Sequence, residues 1–471
     1  MFRRLPVLQN AGYWDCVRFA GDSEYVRRLK KVFGQSALHE LSTGPLAFAL
    51  QEETSLTGNN WFGFSGFFVG ARRVYLNTYK RWHRETDFPY IDFPQKNRPF
   101  PVPAPMQPAS RPKDKNSMCH LDVVMATDIR LPGGTIVSTL EEVEAQKALG
   151  LKTGLIHMAR YDLKPTAPWN TKVLDLIDEQ SLQFLVYGQK VSCDLLIIRH
   201  PPVLQEYQDF LPQVQARNVL VIVNQAPFRD YQDPDSRLYD VYKCRTNLER
   251  YFGNPGVWLP IGPAVRSALN SEMEAGIHLG DEDWVNIIDV QAWEIPRRKR
   301  SDTKPIIGRH SRDQYVKWPN DPEEMLAAYP AHDDFEVRIL GGAKAARGIL
   351  GRIPENWMVY PFNSLAVRDF LAQIDVFVYF THPGCVEAFG RTPLEAMAAG
   401  VPVILPDKFK PLFQDAAIYA TPFEVQTIVI QLHQDRQYYQ QQAEKGRKFV
   451  QKNFGYAEHQ RRLAQYVQRL Q

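Results

Sequence analysis

The feature that most constrains this chain is an alternation that runs twice along it. Short apolar runs at 121–126, 154–157, 195–198, 219–223 and 257–259 are separated by stretches of helical spacing, among them 136–149 and 238–251. Runs this short, bounded by turn residues, read as strands buried on both faces and joined by crossover helices, which means a parallel sheet. A charged break, R-R-K-R-S-D-T-K at 297–304, interrupts the pattern. It restarts with runs at 305–307, 337–340, 358–360, 376–379 and 401–405. Two doubly wound α/β halves are therefore expected. The last stretch, 432–471, is rich in Gln, Arg and Tyr at helical spacing and reads as one or two terminal helices.

The first quarter of the chain has a different texture. Seven prolines fall between 93 and 117: Pro94, Pro99, Pro101, Pro103, Pro105, Pro108 and Pro112. Proline fixes φ and removes a backbone donor, so this stretch reads as a semi-rigid extended linker. Residues 1–92 are aromatic and basic, and N-N-W-F-G-F-S-G-F-F-V-G-A-R-R-V-Y (59–75) stands out. Through residue 116 there are 17 Lys and Arg against 10 Asp and Glu, although the whole chain carries only +3. Three roles stay open for this extension: an acceptor-binding surface, a peripheral contact with anionic lipid, or a small folded domain.

Five scattered cysteines with no C-x-x-C pair argue against a disulfide framework and a zinc site. No apolar run approaches the ~20 residues that span a bilayer, and the charged start lacks the apolar core of a secretory signal. A cytoplasmic protein is expected, with peripheral contact at the inner face of the membrane through residues 1–92 left open. Nucleic acid is not an expected partner.

The most informative stretch is H-P-G-C-V-E-A-F-G-R-T-P-L-E-A-M-A-A-G-V-P-V-I-L-P (382–406). It follows the apolar run at 376–379. Thr392 reads as a helix N-cap, Pro393 as the first helical residue and Glu395 as the third, a capping box. Gly400 reads as the left-handed residue that ends the helix. A helix N-terminus is thereby set at the carboxyl end of a parallel strand, where open α/β sheets bind ligands and where free N–H groups favour phosphate. Gly390 would let the backbone approach such a ligand. Capping alone explains Glu395, whereas Glu387, a loop carboxylate over the sheet's binding edge, gains nothing obvious from packing.

The stretch 387–400 resembles the E-x7-E signature of retaining glycosyltransferases of the GT-B fold, the group 1 or family 4-like enzymes. The resemblance covers residues 118–471. It implies two Rossmann-like doubly wound parallel-sheet domains: 118–296 on the acceptor side and 297–450 for the nucleotide-sugar donor. An extension (1–92) and linker (93–117) precede them, and a C-terminal helix (451–471) packs back on the first. It further implies that Glu387 stabilises the donor sugar at the anomeric centre, and that Phe389 and Gly390 lie against the sugar. Thr392 and Leu394 offer backbone donors, and Glu395 holds the ribose.

An Arg and a Lys five apart on the donor diphosphate match Arg312 and Lys317. Arg309 matches the family's G-R pair but lies too far from Lys317, so the choice of arginine stays open. Gly133-Gly134 resembles the glycine-rich loop near the donor phosphate, and His200 a histidine that contacts the donor sugar. No cofactor and no metal are implied, because the nucleotide sugar is itself a substrate. The implied activity is sugar transfer with retention to a glycan, lipid-linked or other acceptor, in cell-surface polysaccharide or glycoconjugate synthesis. A same-fold sugar-nucleotide epimerase or phosphorylase, and a non-catalytic glycan- or nucleotide-binding protein, are the rival readings.

Overall fold

A computed structural model describes residues 4–39, 70–108, 118–131, 133–164, 167–177, 182–229, 233–295 and 304–471. The aromatic stretch 59–75 lies outside these residues up to position 69. The chain divides into two compact units: residues 1–221 with 243–256 and 466–471, and residues 222–242 with 257–465.

The N-terminal extension has a core of its own. Helices α1 (Gly21–Phe33) and α2 (Ala71–Glu85) turn apolar and aromatic faces inward. On α2 these are Val74, Tyr75, Thr78, Tyr79 and Trp82, at helical spacing. Charge is also buried there. Glu24 accepts from Arg28 Nε at 3.0 Å and pairs with His83 Nε2 at 2.9 Å, and Arg28 donates onward to the Ala11 and Tyr13 carbonyls. A buried pair held this way has its remaining donors satisfied, which offsets desolvation.

The proline-rich segment, where described, packs onto α2. Phe100 is buried, with its ring centroid 5.1 Å from that of Trp82 and 5.8 Å from that of Tyr75. Arg98 bonds Asp15 at 2.7 Å, and Asp15 also accepts from Tyr75. Apolar residues between the prolines, Phe100, Val102 and Met106, supply this packing.

The first sheet has seven strands: β1 (Cys119–Thr127), β2 (Thr153–His157), β3 (Leu182–Leu185), β4 (Lys190–Arg199), β5 (Gln213–Val223), β6 (Val257–Pro260) and β7 (His278–Leu279). Their order is β3-β2-β1-β4-β5-β6-β7. The pairings of β1 with β2 and β4, of β2 with β3 and of β6 with β7 are parallel. Helix α3 (Gly134–Ala148) follows β1, and α4 (Thr171–Leu176) lies between β2 and β3. The final residues join this unit: Gln468 N–H donates to Asp194 at 3.0 Å, and Arg469 donates to the Gly150 carbonyl at 2.6 Å.

The second sheet has six strands, all parallel: β8 (Ile306–His310), β9 (Glu336–Leu340), β10 (Trp357–Tyr360), β11 (Val376–Val378), β12 (Val403–Leu405) and β13 (Ile418–Tyr419). Their order is β10-β9-β8-β11-β12-β13. The order reverses between β8 and β11, so a crevice opens at the carboxyl ends of those two strands, where such sheets bind ligands. Ile307, Val337, Ile339, Val376, Val378 and Ile404 form the core beneath it. Helix α5 (Arg391–Ala398) connects β11 to β12, and α6 (Arg436–Phe454) packs against α5.

The two expected α/β halves are present. Strands β3, β7 and β13, of two to four residues, were not among the runs read from the sequence.

Candidate active site

The start of α5 differs from the expected one. The N-cap is Gly390, at φ 83° and ψ 57°, and the helix begins at Arg391. Thr392 is inside the first turn, and its buried Oγ1 has no hydrogen-bond partner. No capping box forms. Two things reserve position 390 for glycine. Its φ lies in the left-handed region, and a Cβ there would come 2.9 Å from the Phe409 ring. The other end is as expected: Gly400 has φ 69°, with Val401 N–H bonded to the Ala396 carbonyl and Gly400 N–H to that of Met397, a Schellman end.

Freed from capping, Glu395 turns elsewhere. It accepts from Arg391 Nε at 3.0 Å, and its other oxygen is 3.6 Å from His310 Nε2. His310 is at the end of β8, buried. Burial, then the charge of Arg309, pushes its pKa down to about 3, so it faces Glu395 as a neutral ring.

Glu387 stands at the carboxyl edge of β11. One carboxylate oxygen, Oε2, lies 2.5 Å from Lys317 Nζ and accepts from the Tyr379 hydroxyl at 2.9 Å. The side chains of Lys317 and Glu387 are 17% and 16% exposed, so their attraction is only partly screened. Burial and then the Glu387 charge raise the pKa of Tyr379 well above its ordinary value, so Tyr379 remains a phenol that donates.

A second cation, Lys408, follows β12. It donates to Thr381 Oγ1 at 2.7 Å, and burial lowers its pKa despite the pull of Cys385 and Glu387. Sequence reasoning passed over Lys408 and Tyr379. Each sits just beyond the carboxyl end of a strand at the sheet's centre, a positional signal that was there to be read.

The two candidate arginines occupy different places. Arg309 is wholly buried inside β8. It donates to Tyr329 Oη at 3.1 Å, to Ser311 Oγ at 3.2 Å and to the Lys317 carbonyl at 2.5 Å, and it stacks 3.7 Å over the Trp318 ring. Arg309 thus holds the Lys317 loop from below. Arg312 is exposed, and none of the described residues pairs with it.

The remaining expected donor contacts divide likewise. The Phe389 ring is buried against Phe454 and Phe413, at 5.6 and 6.2 Å. Leu394 is buried too, and its N–H bonds the Gly390 carbonyl at 3.3 Å. These two shape the helix start from behind. The Thr392 N–H finds no acceptor among the described residues, which leaves it available at the positive helix end.

In the first unit, His200 follows β4 directly, at φ 81°, a strained conformation for a residue with a Cβ. Its Nε2 lies 2.9 Å from Arg160 Nη1, which can only donate, so His200 accepts there. Gly133 caps α3, and a Cβ on Gly134 would meet no protein atom within 4 Å. Among the described residues no cluster of three or more His, Cys, Asp or Glu is arranged to hold a metal ion.

Residues 293–412, which hold β8 to β12, match the family model for glycosyl transferases group 1. A curated relative, the GDP-mannose-dependent alpha-mannosyltransferase of Mycolicibacterium smegmatis, is 36% identical over 106 residues, 22% of this chain. The match spans about a quarter (26%) of that relative's length. Among solved structures, Anabaena Alr3699/HepE in complex with UDP and glucose aligns at 12% identity with a TM-score of 0.51, covering 74% of this chain and 99% of that one. A glycosyltransferase from Rickettsia africae aligns at 14% with a TM-score of 0.51, covering 74% and 98%. At such identity the likeness is one of fold, and the fold is GT-B.

Proposed function

We propose that this chain is a retaining glycosyltransferase that moves a sugar from a nucleotide-sugar donor to a glycan, lipid-linked or other acceptor. The observation that carries the reading is Glu387, fixed by Lys317 and Tyr379 at the reversal point of the second sheet, four residues before a helix N-terminus. A carboxylate held there stabilises positive charge that develops on a departing sugar. The cations and free N–H groups around it stabilise the negative charge that develops on the diphosphate.

The residues take the following roles. Lys317, Lys408 and exposed Arg312 neutralise the diphosphate, together with the Thr392 N–H. Arg309 positions Lys317 through its carbonyl. Glu395, oriented by Arg391, holds the ribose. His200 and the Gly133-Gly134 turn serve the donor sugar and phosphate from the first sheet. In the step itself the bond from the anomeric carbon to the diphosphate oxygen breaks, and a bond to the acceptor hydroxyl oxygen forms on the same face. The hydroxyl proton passes to the diphosphate. Glu387 acts electrostatically and forms no covalent bond.

The relative's name speaks of GDP-mannose and the Anabaena structure holds UDP, so the base is left to experiment. Thermal shift against a panel of nucleoside diphosphates and their sugars tests the reading. A ligand at a hundredfold excess over its Kd stabilises by about 2.7 kcal/mol, a readable shift. If no member of the panel raises the melting temperature, the reading fails. If one does, slow hydrolysis of that donor in water, lost in Glu387→Ala, separates an enzyme from a binding protein.

A further inference from the structure

Helix α2 of the N-terminal extension has two faces. One is the aromatic face already described. The other, offset by about half a turn, carries Arg73, Asn77 and Arg81 at i, i+4 and i+8, so the three form one stripe. All three are half-buried, so something covers this face as well.

Arg81 shows what that is. It pairs with Asp175 on α4 and donates to the Thr171 carbonyl at 3.4 Å. The stripe thus runs from the segment after β2 toward the carboxyl end of β1. At that end Asp128 is locked by Arg130, whose Nε donates at 2.9 Å. The remaining Arg130 donors go to the second Asp128 oxygen and to the carbonyls of Arg160, Leu163 and Lys164. His157, at the end of β2, stands beside the pair, with Nδ1 3.8 Å from Asp128.

Arg73 comes close enough that its charge bears on both Arg130 and His157. Its own pKa is lowered by burial first and then by Arg130, and it contributes with burial and Arg130 to pushing His157 down to about 4. Yet the Arg73 guanidinium has no hydrogen bond and no ion pair among the described residues. One turn along, Asn77 Nδ2 is buried and has no acceptor either. A half-buried cation without a partner among the described residues, one turn from a buried and unsatisfied amide donor, is a costly arrangement unless an anion completes it.

We infer that Arg73 and Asn77 of the extension, with the field of Arg130, bind an oxyanion carried by the sugar acceptor, a phosphate or a carboxylate. This rests on the reading of the chain as a glycosyltransferase, whose acceptor is taken up on the first sheet. Arg73 supplies up to five donors and Asn77 two, while every Arg130 donor is already committed. Arg130 therefore attracts the group without bonding it, and Arg73 with Asn77 fixes its orientation. The extension is then a part of the acceptor site.

The test uses the full chain saturated with the nucleoside diphosphate that the thermal-shift panel selects, so that the donor site cannot take up the probe. Inorganic phosphate and acetate are each titrated calorimetrically at constant ionic strength. One anion binds the wild type, and the preferred one names the acceptor's group. Arg73→Ala weakens that binding by roughly tenfold to a hundredfold, the worth of a hydrogen bond to a charged group, and Arg73→Lys recovers part of it. Melting temperature and nucleoside diphosphate affinity stay unchanged in both variants.

Equal anion affinity in wild type and Arg73→Ala, or no uptake of either anion by the wild type, overturns the inference. If no nucleoside diphosphate binds, it is the transferase reading that fails. The same titrations on the free protein then still report whether Arg73 holds an anion.

Discussion

Lys317 and Tyr379 converge on one oxygen of Glu387, from 2.5 and 2.9 Å. They come from the loop after β8 and the end of β11, strands that lie side by side in the second sheet. The carboxylate is oriented and shielded, which suits a group meant to stabilise charge on a substrate without reorganising.

Glu387→Ala is expected to lower transfer by about a hundredfold to a thousandfold, the scale for removing one preorganised electrostatic group. Nucleotide affinity should change little, because Lys317 is released to the diphosphate. Steady-state rates and nucleotide binding by calorimetry check this, and near wild-type turnover in the variant would sink the assignment.

The two arginines should separate by phenotype. Arg312→Ala, at an exposed position, should weaken nucleoside diphosphate binding several-fold, roughly the ~1 kcal/mol scale of a solvent-screened charge, with the melting temperature unchanged. Arg309→Ala should lose about 2 kcal/mol of stability or more, because Tyr329 Oη, Ser311 Oγ and the Lys317 carbonyl lose a buried donor. It should weaken nucleotide binding as well, through a displaced Lys317. Denaturant unfolding alongside calorimetry distinguishes them; identical profiles would contradict the division of roles.

Gly390→Ala should destabilise by about 2–4 kcal/mol, combining a left-handed residue with overpacking against Phe409. Adding Phe409→Ala should relieve the crowding, so that the double variant loses less than the sum of the two. Urea midpoints of the four proteins form the cycle, and strict additivity would show that the ring is not what excludes a Cβ.

His310 is held neutral to about 3, against an ordinary 6.5. As pH falls below 6.5 the unfolded chain takes up this proton before the folded one does. Stability from His310 is therefore complete above 6.5 and drains away through the window from 6.5 to about 3. The slope is at most about 1.4 kcal/mol per pH unit for one proton. His157, pushed down to about 4, adds in the same direction. Unfolding free energies of wild type and His310→Gln between pH 7 and 4 check this. A variant curve as steep as that of the wild type would refute it.

Much of the second sheet could be read directly from the chain. The run at 376–379, the helix ending at Gly400 and the strand after Pro402 are local matters of hydrophobic length, a left-handed glycine and proline punctuation. They came out where expected: β11, α5 and β12. The start of α5 did not, because local capping rules rank Thr392 above glycine. Gly390 holds that place with a left-handed φ, and Phe409, from beyond β12, closes the position to a Cβ. The proline-rich segment shows the same limit. Its prolines suggested an extended linker, and the described part is packed because Phe100, Val102 and Met106 find a surface on α2 that no local rule foresees.

Of the two glutamates eight residues apart, the sequence determined their spacing and their place between a strand and a helix. The tertiary structure decided what each one does with its charge. Glu395 pairs with Arg391 and faces neutral His310, and it forms no capping box with Thr392. Glu387 takes partners 70 and 8 residues away. Spacing along a chain is fixed by covalent geometry. A carboxylate's partners are fixed by which strands lie side by side, and only the folded sheet brings the ends of β8, β11 and β12 to one edge.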